Sequence, residues 1–146
     1  MMIRNATYHD APAIKSLLEQ LGPATRLTIL INQLETIFDK EDNQVVVYEM
    51  KKEVAGFVSA HYLPRLAYDG GLTVISYLSV DEAVKDTGIA RELEQYITNQ
   101  AKIRKCGRIQ VHCMDWRTPA HQFFEQQGYL EYLKYFTKRL AYMFFQ

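Results

Sequence analysis

The sequence lacks the features that mark several common classes of protein. Its 146 residues include only two cysteines, Cys106 and Cys113, a poor disulfide framework and too few for a structural zinc site built from cysteines alone. The formal net charge is zero, whereas nucleic-acid and membrane-surface proteins carry an excess of positive charge. No segment approaches the roughly 20 apolar residues of a membrane span, and the first residues lack the apolar stretch of a secretion signal. We therefore expect a cytoplasmic protein with no nucleic-acid or membrane partner.

The hydrophobic pattern predicts one domain, residues 1–146, that combines helices with strands. Apolar residues recur at helical spacing in some segments and at strand spacing in others, with turn residues between them. The predicted order is β-α-α-β-β-β-α-β-α-β, for the segments Met2–Ala6, Asp10–Gln20 (with Asp10 as N-cap), Thr28–Phe38, Gln44–Met50, Val54–Leu63, Leu72–Val80, Gly88–Lys105, Arg108–Cys113, Thr118–Gln127 and Tyr129–Leu140. An antiparallel meander followed by a strand-helix-strand unit indicates an α/β fold, with a mixed sheet covered by helices on both faces.

The segment Lys85–Ala90 has the character of a phosphate-binding loop. It follows a strand and opens a helix, whose first N–H groups and positive dipole end suit an anionic pyrophosphate. Gly88 would let phosphate oxygens approach the backbone, and Lys85 could add a charge-assisted contact. Taken alone, the segment is equally consistent with an ordinary helix start that has Asp86 or Thr87 as its N-cap.

Two motifs together resemble the GNAT superfamily of CoA-dependent N-acetyltransferases. The family's cofactor loop reads Gln or Arg, two residues, Gly, one residue, then Gly or Ala, and Lys85–Ala90 is similar, with Lys in the first position. Downstream, Arg117–Tyr129 resembles the family segment R-x-x-A-H-x-F-Y-E-x-x-G-F/Y. The ending Tyr135–Leu140 is similar to that of small members such as the aminoalkylphosphonate N-acetyltransferases, and we place the chain with them and the aminoglycoside N-acetyltransferases.

The resemblance implies acetyl-CoA as cosubstrate, held between two diverging parallel strands, and no metal. The backbone of one strand would pair with the pantetheine arm, the loop amides would hold the pyrophosphate, and the helix after the second strand would flank the CoA arm. The residues implied in these contacts are Leu78, Ser79, Val80, Lys85, Asp86, Thr87, Gly88, Ile89, Ala90, Ala120, Phe123 and Phe124. The reaction would be direct attack of a primary amine of a small molecule on the thioester, within a ternary complex.

The sequence departs from the family pattern at two positions that concern proton transfer. Phe124 stands where the family usually has a tyrosine, and Ser76 and Tyr77 stand where a carboxylate is frequent. Tyr77 and His112 are therefore the candidate catalytic residues; the alternatives are a core tyrosine and a packed or surface histidine. His61 is expected on the acceptor side, or as a structural histidine.

Three matters stay open at this point. The missing tyrosine and carboxylate leave room for a catalytically degenerate member that binds acetyl-CoA or CoA as a sensor or interaction module. The acceptor could be a small amine, an amino acid, an aminoglycoside or a protein N-terminus. The aromatic ending Ala141–Gln146 is expected to pack on its own sheet or across a homodimer interface.

Overall fold

The structure is a computed structural model, which describes residues 2–22, 24–112, 118–131 and 136–140. They divide into two compact units, residues 1–116 and 117–146. In the first unit the strands are β1 (Met2–Asn5), β2 (Asn43–Met50), β3 (Glu53–Leu63), β4 (Gly71–Val80) and β5 (Cys106–Val111), and the helices are α1 (Ala11–Leu21), α2 (Leu27–Phe38) and α3 (Ile89–Ile103). The second unit contains α4 (Thr118–Gln126).

The five strands form one sheet in the order β1-β2-β3-β4-β5. The first three pairings are antiparallel, and β5 lies parallel to β4. A parallel neighbour requires a long crossover connection, and the segment between β4 and β5, which contains α3, supplies it. The predicted mixed sheet is confirmed.

A two-residue turn joins β2 to β3. Met50 pairs with Glu53, and the two lysines between them have φ of 51° and 65°. Positive φ at both central positions defines the hairpin turn whose twist matches that of the strands. Neither lysine favours this conformation, so the turn carries backbone strain.

Two hydrophobic clusters cover the two faces of the sheet. On one face α3 buries Ile89, Leu93 and Ile97, which recur every four residues, against strand residues such as Val58 and Ile75. On the other face α1 and α2 bury another set against the alternate strand residues, namely Ile14, Leu17, Leu30, Leu34, Val45, Val47 and Phe57. We call these two sides of the sheet the α3 face and the α1–α2 face.

Asp10 occupies the N-cap position of α1, as predicted, but its carboxylate is used elsewhere. Its side chain makes no cap hydrogen bond to that helix. It accepts instead from the Thr7 backbone N–H at 2.8 Å and from the Arg4 guanidinium at 2.8 and 2.9 Å. A short 3-10 turn over Tyr8–Asp10 precedes the helix, and Asp10 stabilises that turn because it satisfies a donor at its start.

The predicted final strand, Tyr129–Leu140, is not found as a strand in the part of it that the structure describes. Residues 129–131 and 136–140 have no regular secondary structure. Gly128, with φ of 95°, ends α4, and the Tyr129 N–H donates to the Phe124 carbonyl at 3.0 Å. Cys113 at the end of the fifth predicted strand, Arg117 of the second motif, Tyr135 and the ending Ala141–Gln146 lie outside the described residues.

Candidate functional site

The parallel strands β4 and β5 separate partway along β4. Their last paired residues are Ile75 and Val111, and the His112 N–H then donates to the Ile75 carbonyl at 3.1 Å. Beyond this point, residues 77–80 remain paired with β3 on one side but not with β5 on the other. The second half of β4 therefore has an edge that is open within the part of the first unit that the structure describes.

The direction of the backbone groups along this open edge follows from the pairing with β3. The Asp81 N–H donates to the Ala55 carbonyl at 2.8 Å, and residues of an antiparallel strand alternate between its two edges. Ser79 therefore directs its backbone groups towards β3, whereas Leu78 and Val80 direct theirs to the open edge. An extended chain lying there could pair with Leu78 and Val80.

A register shift in β4 changes which face two neighbouring side chains occupy. Ser59 pairs with Tyr77, but the next residue, Ala60, pairs with Ile75, which leaves Ser76 as the extra residue of a bulge. Ser76 reaches His61, and Tyr77 packs against the cluster of the α1–α2 face. Both side chains therefore lie on the α1–α2 face, at the place where the edge opens.

The two predicted catalytic residues lie on either side of this opening. Tyr77 is half-buried in β4, on the α1–α2 face. His112 is exposed, directly after the end of β5, and its backbone makes the last bond across to Ile75. The structure thus brings both to the point where the two strands diverge.

His112 also acts on a third titratable group, His61. Burial lowers the pKa of His61 below its ordinary value of 6.5, the charge of His112 lowers it further, and Asp42 opposes both effects. His61 is therefore the neutral imidazole at neutral pH, which leaves one ring nitrogen able to accept a proton.

The segment between β4 and α3 has an exposed backbone and an unusual helix start. Asp86 and Gly88 have φ of 66° and 89°, and Gly88 is the N-cap of α3. A glycine has no side chain to cap the helix, and no described residue makes a side-chain cap hydrogen bond to the first N–H groups of α3, those of Ile89, Ala90 and Arg91. These N–H groups can donate hydrogen bonds to a bound anion.

The structure decides between the alternatives for the start of α3 and shows why glycine stands there. A Cβ built on Gly88 meets no atom within 4 Å, so its left-handed conformation, rather than crowding within the protein, demands glycine there. Neither Asp86 nor Thr87 is the N-cap: the Thr87 hydroxyl donates to the Val84 carbonyl. Lys85 forms an ion pair with Glu82 at 2.8 Å and would have to leave it to contact a phosphate.

The start of the loop is anchored to α1. The Asp81 carboxylate accepts from the Ala83 N–H at 3.1 Å, and the Gln20 side chain accepts from the Glu82 N–H at 2.9 Å. Close by, the buried Ser79 hydroxyl donates to the Leu17 carbonyl at 3.1 Å. These contacts fix the position of the loop relative to the open edge of β4.

The sequence matches the family model described as "Acetyltransferase (GNAT) family" over residues 11–129. The chain belongs to the GNAT family of acetyltransferases. This membership supports an acetyltransferase enzyme of the acyltransferase class. GNAT acetyltransferases use acetyl-CoA.

Solved structures with the GNAT fold resemble the chain along nearly its whole length. A transcriptional regulator from Bacillus halodurans is 21% identical, with a TM-score of 0.86 over 95% of this chain and 99% of its own. Glucosamine-6-phosphate N-acetyltransferase from Arabidopsis thaliana is 17% identical, with a TM-score of 0.81 over 96% and 98%. Ribosomal-protein-alanine N-acetyltransferase from Brucella melitensis is 16% identical, with a TM-score of 0.75 over 95% and 98%. At these identities the likeness shows the fold, and no curated protein matches the chain significantly.

The GNAT segment around α4 lies in the second unit. Phe124 contacts Phe123 and Tyr129 edge to face, with ring centroids 5.2 and 5.7 Å apart. Ala120, Phe123 and Phe124 are half-buried. The predicted contact of these three residues with CoA would also involve the first unit, so it stays a prediction.

The cluster that sequence reasoning missed consists of Asn43, His61 and Ser76. His61 Nδ1 lies 2.9 Å from Asn43 Oδ1, and His61 Nε2 lies 2.9 Å from Ser76 Oγ. His61 had been expected on the acceptor side or as a structural histidine, but no signal in the sequence linked it to residues 18 and 15 positions away. Asn43 and His61 occupy paired positions of β2 and β3, which only the strand register reveals.

Among the described residues, no group of His, Cys, Asp and Glu could hold a metal ion. In the same part of the chain, no helix is both long and apolar enough to cross a membrane.

Proposed function

We propose that the protein is an acetyl-CoA-dependent N-acetyltransferase that acetylates a primary amine of a small molecule. The observation that carries the proposal is the open edge of β4 beyond Ile75, which leads directly to a loop with free backbone donors. An extended pantetheine arm and an anionic pyrophosphate need these two features in this order. The amine would attack the thioester directly, within a ternary complex.

The residues present fit acetyl-CoA at two places. Leu78 and Val80 would pair with the amide groups of the pantetheine arm, since both direct backbone groups to the open edge. The N–H groups of Ile89, Ala90 and Arg91 would hold the pyrophosphate at the positive end of the α3 dipole. When bound, acetyl-CoA supplies an activated acetyl group on a good thiolate leaving group.

The other predicted cofactor contacts are secondary to these. Lys85 would supply a charge-assisted contact once it leaves Glu82, and Asp86 and Thr87 would shape the loop around the phosphates. Ala120, Phe123 and Phe124 of α4 would flank the CoA arm. Ser79 would act through its hydroxyl bond to α1, which holds β4 against that helix.

The protein's own contribution to the chemistry is positioning and proton transfer. Positioning supplies a large share of such rate enhancements. A backbone N–H on the open edge of β4 would stabilise the negative charge that develops on the acetyl oxygen. Tyr77 and His112 are the candidates to donate a proton to the departing thiolate, because Phe124 has no hydroxyl. A thiolate also leaves without a proton, so the loss of the usual tyrosine is compatible with activity.

The acceptor would lie on the α1–α2 face, beside Tyr77. The loop between β3 and β4 carries Arg65, whose guanidinium lies 4.7 Å from the centroid of the Tyr68 ring and donates to the Gly70 carbonyl at 3.4 Å. An ordered guanidinium of this kind could pair with a carboxylate, phosphate or phosphonate of the acceptor.

Calorimetric titration with acetyl-CoA, followed by an assay for released thiol, tests the proposal. Two similar structures carry the names of an amino-sugar-phosphate and a ribosomal-protein-alanine acetyltransferase. The amine panel should therefore contain glucosamine 6-phosphate and a peptide with N-terminal alanine, besides aminoalkylphosphonates, aminoglycosides, amino acids and polyamines. We expect binding and small-amine-dependent thiol release.

The other outcomes separate the alternatives. Binding without turnover of any amine would favour the degenerate GNAT module that senses acetyl-CoA. Turnover of the peptide alone would indicate that the acceptor is a protein N-terminus and not a small molecule. Absence of acetyl-CoA binding would refute the proposal.

A further inference from the structure

A hydrogen-bonded chain of Asn43, His61 and Ser76 ends where the edge of β4 opens. His61 Nδ1 lies 2.9 Å from Asn43 Oδ1, His61 Nε2 lies 2.9 Å from Ser76 Oγ, and Ser76 Oγ lies 3.3 Å from the Ser59 carbonyl. All three side chains are half-buried. Ser76, the bulge residue, directly follows Ile75, which is the last residue of β4 paired with β5.

The hydrogen-bond acceptors among Asn43, His61 and Ser76 determine where each proton lies. A carbonyl oxygen can only accept, so Asn43 Oδ1 requires the proton of the neutral imidazole to be on Nδ1. His61 Nε2 then carries a lone pair and accepts from the Ser76 hydroxyl. A serine hydroxyl that donates to a histidine, which a third residue orients, is the general arrangement that removes a proton from a reacting group.

The chain remains fully paired when His61 gains a proton. Nε2–H then donates to Ser76 Oγ, and the Ser76 hydroxyl turns to donate to the Ser59 carbonyl. Both protonation states therefore keep the two ring nitrogens of His61 and the Ser76 hydroxyl bonded. A proton relay needs this property, whereas a purely structural contact needs only one state.

The charges around His61 keep it ready to accept. Burial is the main cause of its lowered pKa, the charge of His112 after β5 acts in the same direction, and Asp42 before β2 opposes them. These are the titratable groups that act on it; β4 contributes Val74 opposite His61 and the Ser76 hydroxyl. At neutral pH His61 is unprotonated.

We propose that Ser76 and His61 form the proton relay that deprotonates the acceptor amine, with Asn43 as the positioning residue, in place of the carboxylate that the sequence lacks at this part of β4. This inference rests on the proposed acetyl transfer. An N–H bond of the substrate ammonium breaks as its proton passes to Ser76 Oγ, while the Ser76 proton passes to His61 Nε2. The amine nitrogen then forms a bond to the acetyl carbon and the C–S bond breaks. A second N–H proton leaves the nitrogen for the departing thiolate, which gives the neutral amide and CoA thiol, and His61 returns its proton to solvent.

Two variants change the charge next to His61 in a matched way. Asn43→Asp places a carboxylate against Nδ1 and should raise the pKa of His61 by about 1 unit or more. Gln44→Glu is the control, since it adds the same charge one residue along β2 but on the other face, where Gln44 bonds the Tyr62 hydroxyl at 2.6 Å. NMR titration of the imidazole, assigned with His61→Gln, reads the pKa and the tautomer without any substrate.

We expect the Nδ1–H tautomer in the unaltered protein and a clear upward shift of the His61 pKa in Asn43→Asp only. The acid limb of kcat/KM should move to higher pH by the same amount, measured with acetyl-CoA and the best amine of the panel. The pKa of the amine itself is common to all variants and cannot cause that shift. An Nε2–H tautomer, or an acid limb that stays in place while the His61 pKa moves, would overturn the relay.

Removal of the relay should lower kcat while the affinity for acetyl-CoA stays the same. His61→Gln and Ser76→Ala should each reduce kcat about 100-fold, within the range typical of general base catalysis, and Ser76→Thr, which keeps a hydroxyl, should retain most of the rate. Full activity in Ser76→Ala would refute the relay even if His61→Gln fails to fold. Failure of the unaltered protein to bind acetyl-CoA would instead refute the proposed function.

Discussion

Replacement of Gly88 by alanine tests the pyrophosphate site most directly. The φ of 89° at Gly88 is a conformation that costs an L-residue about 1 kcal/mol. A Cβ there meets no protein atom within 4 Å, so we expect no further cost from clashes. The variant should therefore fold, with a free energy of unfolding lower by about 1 kcal/mol.

The effect of Gly88→Ala on cofactor binding should be larger than its effect on stability. The new Cβ occupies open space at the N-terminus of α3, and relief of the strain would rotate the Ile89 amide. The loss of one charge-assisted hydrogen bond costs about 1.5–3 kcal/mol, and each 1.4 kcal/mol is about tenfold in affinity. Calorimetry should show a Kd for acetyl-CoA raised about 10- to 100-fold.

Two controls separate loss of the site from general destabilisation. Gly22→Ala makes the same change at φ of 125°, also with no atom within 4 Å of the new Cβ, at the end of α1; it should lower stability without changing affinity. S-acetylpantetheine lacks the pyrophosphate and should bind Gly88→Ala as it binds the unaltered protein. An unchanged Kd for acetyl-CoA in Gly88→Ala would refute our placement of the pyrophosphate.

Three further predictions concern stability. Lys51→Asn combined with Lys52→Gly should raise the free energy of unfolding in urea by about 1 kcal/mol, because both residues suit positive φ; no gain would show that the lysines are not strained. Thr73→Val should raise it by about 1 kcal/mol, since Thr73 is fully buried and its hydroxyl has no partner among the described residues; a loss would reveal a partner. Arg4→Met should lower it by about 2 kcal/mol at pH 7, because the Asp10 carboxylate, only 7% exposed, loses its guanidinium partner. The hydrogen bond from Arg4 lowers the pKa of Asp10 below 3.8, so this stabilisation is complete above pH 3.8 and disappears as the pH falls further. A difference that does not shrink as the pH falls below 3.8 would contradict this cause.

The local pattern of the sequence was sufficient for most of the elements. The predicted final strand, Tyr129–Leu140, is not found in the part of it that the structure describes. Hydrophobic periodicity and turn residues predict β1 to β5 and α1 to α4, because each of these depends on neighbours within a few positions. The loop Lys85–Ala90 was found in the same way, since a glycine after a strand and before a helix is a local signal. The family resemblance, carried by this loop and the segment Arg117–Tyr129, agrees with the match to the GNAT family model.

Other features depended on residues distant in sequence, and local patterns could not reveal them. Asp10 stands at the predicted N-cap position, but its carboxylate pairs with Arg4, which the fold places beside it. The bulge at Ser76 arises from the register between β3 and β4, and one residue of register decides which face a side chain occupies. The divergence of β4 from β5 after Ile75 likewise depends on how far the parallel pairing extends.

The sequence by itself therefore determined the elements, their order and the segment suited to phosphate, because short-range periodicity and glycine conformation encode them. Only the tertiary structure decided that the backbone of Leu78 and Val80 faces an open edge, and that Asn43, His61 and Ser76 form one hydrogen-bonded chain. Those arrangements require three strands to pair in one register. Packing of whole sheet faces against α1, α2 and α3 selects that register, and no single segment contains the information.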